Sequence, residues 1–162
     1  MSDSNNVIDL TYLESISDGD YDIVFELIDI FLEQIVEFTR SFEESFSNKN
    51  WKNLAAMAHK AKSSVISMGM EELGNVDLKN MELICKFLLM RELENKSNIN
   101  LKEKEELELL KKSFSANTTE KQTWITDNAS EDVILKIIDR FSNVCQMAKE
   151  ELTIFVERKK IC

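Results

Sequence analysis

No proline occurs in the 162 residues of this chain, and its three glycines stand at positions 19, 69 and 74. Turn-dense β folds depend on those two residue types, whereas long helices exclude them from their interiors. An all-α fold is therefore expected. A hydrophobic content of 43% can fill a core at this length, and one domain over 1–162 is the natural organisation.

Helical periodicity is strongest over 21–46, YDIVFELIDIFLEQIVEFTRSFEESF. At about 100° per residue, Phe25, Ile28, Leu32, Ile35 and Phe42 share one side, and Phe31 and Phe38 widen the band. Before it, IDLTYLESIS (8–17) predicts a short helix capped by Asp9 or Thr11, and SDGD (17–20) a turn. After it, SNKN (47–50) predicts a loop and 50–68 a second long helix. Gly69 suits a left-handed cap there. A third long helix is expected over 70–91, with Leu73, Val76, Asn80, Ile84 and Phe87 in line. Asn80 in that line is either a polar group near the histidine or a break in the register.

From 93 to 130 the chain turns polar. ENKSNIN reads as a linker, LKEKEELELLKKSF (101–114) as a charged helix with a thin stripe of Leu107, Leu110 and Phe114, and SANTTEKQTWITDNAS as loop. Ser130 is placed to cap a last helix over 131–160, whose basic ERKK suits the negative end of the helix dipole. Four long helices with mostly short connections imply an antiparallel four-helix bundle, a short N-terminal helix at one end, and an inserted segment, 93–130, before the last helix.

Charge singles out the second long helix. The chain carries a net charge of -10, yet Ser45 to Met70 contains no Asp or Glu and holds Lys49, Lys52, Lys60 and Lys62. The sole histidine, His59, lies in that stretch. With Leu54 as zero, Ala58, Ala61, Val65 and Met68 fall within about 40° of it, while His59 falls near 140°, off the apolar stripe. Its neighbours one turn away are Ala55, Ala56, Lys62 and Ser63. A basic surface around an uncrowded imidazole suits an anion carried on the ring. The plainer alternative is a surface histidine on a lysine-flanked helix.

Several classes find no support. The acidic balance argues against direct nucleic-acid binding, and no apolar run approaches the roughly 18 residues of a membrane span. MSDSNNVIDL lacks the basic and apolar regions of a signal peptide. Cys85, Cys145 and Cys162 are odd in number and widely spaced, which suits reduced thiols of a cytoplasmic protein. With one histidine they lack metal-ligand spacing, and no ATP loop or Ser-His-Asp pattern is discernible. An enzymatic role such as phosphohistidine hydrolysis has nothing beyond the histidine.

AAMAHKAKSSVISMGMEEL (55–73) resembles the signature of histidine-containing phosphotransfer (HPt) domains, in which Ala58, His59, Lys62, Ser63, Ser64 and Gly69 take the motif places. Ser63 stands where the family most often has Gly. Leu73 matches the continuation into the next helix, whereas Met81-Glu82 sits one residue later than the family's Leu-Glu pair. The resemblance extends over about residues 5–90, and over 131–160 in character only.

HPt domains are four-helix bundles, so the resemblance implies the same fold. It also implies a phosphorelay intermediate, neither enzyme nor cofactor-dependent, in which His59 accepts a phosphoryl group and Lys62 stabilises its charge. Small Ala55, Ala56 and Ser63 would leave the ring accessible. Partners would be response-regulator receiver domains and a hybrid histidine kinase, with Mg²⁺ supplied by the receiver. Lys52, Lys60 and Ile66 would join the docking surface, although Ile66, near 120°, equally suits the edge of the core. The alternative is a helical interaction module without phosphotransfer.

Overall fold

The computed structural model describes residues 6–161, and every regular element in them is helical. Helix α1 is Thr11–Ile16, α2 Tyr21–Ser47, α3 Trp51–Ser67, α4 Lys79–Glu94, α5 Leu101–Ser115, α6 Thr119–Asn128 and α7 Glu131–Ile161. A π-helical turn, Leu73–Leu78, leads into α4. No helix among the described residues is long and apolar enough to cross a membrane.

Side chains begin the long helices where the sequence offers them. The Asp20 carboxylate accepts from the Asp22 N–H at 3.0 Å, Asn50 from the Asn53 N–H at 3.1 Å, and Ser130 from the Val133 N–H at 3.2 Å. Asp9 acts two residues before α1, accepting from the N–H and hydroxyl of Thr11. Residues 8–10 are accordingly not helical, which shortens the first helix relative to expectation.

Helix α2 packs on α3 and α7, α3 on α4, and α7 also meets the π-turn, which fits a four-helix bundle. Its core contains the Phe42–Phe141 pair, edge to face at 5.0 Å, and the fully buried Ile28, Leu54, Met81 and Leu152. On α2 the buried line is Val24, Ile28, Phe31, Phe38 and Phe42. Phe25, Leu32 and Ile35 are therefore at its margin, a small rotation from the expected stripe. On α3 the buried face is Leu54, Ala58, Ala61 and Val65, as the helical wheel places it.

The register of the third long helix differs from expectation, and the π-turn is the reason. A π-turn carries one residue more than an α-turn, so everything after it is rotated by about 100°. The buried residues run Leu73, Leu78, Met81, Ile84 and Cys85, so Ile84 of the expected line stays in the core while Val76 is exposed. Asn80 leaves the line and accepts from the Lys121 ammonium at 2.7 Å, joining α4 to α6. Gly74, inside the π-turn, abuts Ile66 of α3; an added Cβ would lie 2.6 Å from the Ile66 Cγ1.

Gly69 ends α3 with φ +84°. Its N–H donates to the Ile66 carbonyl and the Met70 N–H to the Val65 carbonyl, the paired bonds of a Schellman cap. Residues 7–9 lie across this end of the bundle. The Asp9 N–H donates to the Met68 carbonyl, and those of Val7 and Ile8 donate to the Glu151 carboxylate of α7.

Segment 93–130 is more ordered than expected: the stretch read as loop contains α6, capped by the Thr118 hydroxyl. Threonine-rich TTEKQTWITDN has modest helix propensity, but burial of Ile125 and packing of Trp124 on the bundle core override it. Helix α5 covers the outer side of α4, where Leu107 joins Met90 and Leu93 in a second small cluster flanked by Phe87 and Phe114.

Two substitutions test this architecture. Gly69→Ala should cost at least about 1–2 kcal/mol for the left-handed backbone alone, since the new Cβ would also meet the Asp9 backbone at 2.5 Å. Ile125→Ala should cost about 2–5 kcal/mol, as for a buried aliphatic truncation. Denaturant melts would show both, and an unchanged midpoint for Ile125→Ala would mean that α6 is not part of the cooperative unit.

Candidate functional site

His59 stands on the solvent side of α3 with 68% of its side chain exposed, while Ala58 and Ala61 on the opposite face are fully buried. Helix α4 packs against α3, and its Glu82 meets the imidazole. The His59 Nδ1 lies 3.3 Å from Oε1 and 3.2 Å from Oε2 of Glu82. Glu82 was absent from the residues singled out by sequence. The displaced Met81-Glu82 pair was the available signal, and the π-turn turns that displacement into an inward-facing carboxylate.

Glu82 is only 3% exposed, a costly position for a charge without partners. It has three. The Lys86 ammonium lies 2.9 Å from Oε2, Lys62 lies 3.8 Å from Oε1, and the imidazole completes the group. Burial pushes the Glu82 carboxyl up, but the hydrogen bond and charge of Lys86, the His59 hydrogen bond and the charge of Lys79 together hold it below its ordinary value. The carboxylate is therefore ionised at neutral pH and can only accept. It follows that Nδ1 carries a proton and that, in the neutral ring, Nε2 keeps its lone pair. Nε2 makes no hydrogen bond to the protein among the described residues.

The expected basic surface is largely neutralised by acids from other helices. Lys49 pairs with Glu131 at 3.3 Å, Lys52 with Glu106 at 3.0 Å, and Lys62 with Glu82. Lys60 makes no ion pair among the described residues and is exposed. Absence of acids along 45–70 was a property of the segment, and the fold brings carboxylates to it from α4, α5 and α7.

Around the ring, Ala56 and Ser63 are exposed and Ala55 is buried, so one turn either side presents small side chains. Ile66 rests half-buried on Gly74 at the edge of the core, outside the cleft that holds His59. That cleft, of about 620 Å³, lies between α3, α4 and α5, with Ala55, Ala56, Leu89 and Leu110 along its floor.

No group of three or more His, Cys, Asp or Glu among the described residues could hold a metal ion. Cys85 and Cys145 are buried, and burial pushes both thiols up, Cys145 to about 12. Cys162 lies outside the described residues. The arrangement is thus a single nucleophilic imidazole, oriented by one buried carboxylate that two lysines hold in its charged form.

Because Glu82 is held below its ordinary value of 4.5, its contribution to stability is complete above that pH and is lost as pH falls through the folded-state value. Melting temperatures of wild type and Glu82→Gln should therefore keep a constant difference above about pH 5.5, with wild type losing ground in more acidic buffers. Parallel curves down to pH 3 would show that the carboxylate is not paired as described. Family models, curated proteins and solved structures yield no match to this chain, so its site is interpreted from its own residues.

Proposed function

We propose that this chain is a phosphorelay intermediate of the HPt kind, taking a phosphoryl group from a receiver-domain phosphoaspartate onto His59 and returning it to another receiver. The carrying observation is the orientation of the exposed imidazole by Glu82 through Nδ1, which leaves Nε2 as the outward nucleophile. The π-turn supports the same reading, since its extra residue accounts for the displaced Met81-Glu82 pair.

In the forward step the Nε2 lone pair attacks phosphorus, the N–P bond forms and the P–O bond to the donor aspartate breaks, releasing that carboxylate. The ring gains positive charge, which Glu82 stabilises while the Nδ1 proton remains in its hydrogen bond. Lys62 and Lys86 stand beside the ring and can turn from Glu82 toward the arriving phosphoryl oxygens. Small Ala56 and Ser63 leave room for the donor. The return step is the reverse, with the acceptor aspartate attacking phosphorus. A divalent cation would belong to the receiver, and partners would be receiver domains and the hybrid kinase that feeds them.

Incubation with phosphorylated receiver domains tests the proposal. Wild type should acquire acid-labile, base-stable label, and His59→Gln should remain folded without label. Lys62→Ala and Lys86→Ala should each slow transfer by an amount equivalent to about 1–3 kcal/mol, the range for a charged hydrogen bond. Label retained on His59→Gln would overturn the assignment of the phosphoacceptor.

A further inference from the structure

Helix α5 forms one wall of the cleft beside His59, although it belongs to the segment inserted between the bundle helices. Its Glu106 reaches Lys52 of α3, fixing the wall close to the histidine helix. On the open side, Leu109 is 69% exposed beside the partly buried Leu110 and Leu89. Glu105 lies one turn before Leu109 on the same face, is exposed, and makes no ion pair among the described residues.

We infer that α5 is a specificity-determining part of the surface on which the receiver docks, an inference that rests on the phosphotransfer reading. A receiver that brings its aspartate to Nε2 must lay its surface around His59. A standard interface of about 800 Å² per partner corresponds to a disc of about 16 Å radius, and even half that area reaches about 11 Å. Residues lining the same cleft as His59 lie under such a disc, so the receiver contacts α5.

Charge and apolarity state what it must present. Beside His59, Lys62 and Lys86 share a single acid, Glu82, so this end keeps a small positive excess. The α5 rim is apolar at Leu109 and carries one exposed charge of each sign, Glu105 and Lys102. It therefore fits an apolar side chain on Leu109 with a Lys or Arg placed to meet Glu105. A receiver with an acidic group at that place is disfavoured.

A set of phosphorylated receiver domains, tested against wild type, Leu109→Asp, Glu105→Lys and the control Lys104→Ala, separates the outcomes. Both cleft variants change exposed side chains, and circular dichroism verifies their helicity. We expect the receiver concentration for half-maximal labelling to rise about tenfold in Leu109→Asp and Glu105→Lys. The size of the effect should differ between receivers, and Lys104→Ala should match wild type. Wild-type half-saturation in both cleft variants with every receiver would overturn the role of α5 while leaving phosphotransfer intact. Absence of label on wild type from any receiver would instead overturn the phosphotransfer reading and this inference with it.

Discussion

Everything around the histidine depends on how closely α3 can approach the helix that follows it. Gly74 lacks the side chain that would hold the backbones apart, since a Cβ there would lie 3.1 Å from the Lys62 carbonyl oxygen of α3. Close approach makes a hydrogen bond possible between an exposed ring and a buried carboxylate. With larger residues at the crossing, Glu82 would stay several ångströms away, and the ring would be free to take either tautomer and any rotamer. The orientation of the ring is thus tied to backbone packing as well as to charge.

The second constraint is electrostatic compensation. A carboxylate as buried as Glu82 persists in charged form because the hydrogen bond and charge of Lys86, the hydrogen bond of His59 and the charge of Lys79 outweigh its burial, with Lys62 also 3.8 Å away. On the proposed phosphotransfer reading, Lys62 and Lys86 would exchange one anionic partner for another. This economy explains why a site in a strongly acidic chain does not need a broad basic field. Most of the lysines along 49–62 are spent on ion pairs with acids from distant helices.

Much of the fold was legible because it obeys simple periodicity. Absence of proline, the long stretch at 21–46 and the face of α3 all follow from the 3.6-residue repeat, and His59 was placed on the solvent side by that count alone. What was not legible has specific causes. The π-turn at Leu73–Leu78 breaks the repeat without a proline or a polar insertion to mark it, so the line through Val76 and Asn80 was misplaced. Glu82 was hidden by the same shift. Helix α6 owes its existence to Trp124 and Ile125 packing on other elements, which no local propensity reveals. Neutralisation of the lysine stretch depends on which acids the tertiary fold brings near it.

The N-terminal segment has a consequence for the order in which the molecule is completed. Its hydrogen bond to Met68 spans 59 residues, whereas the one from Val7 to Glu151 spans 144. During synthesis the first needs only α3 to have emerged, whereas the second needs α7 as far as Glu151. The contact with α7 can therefore form only after the one with Met68 has become possible. Closure of this end of the bundle is a late event in the life of each new chain, set by topology and not by the strength of either contact.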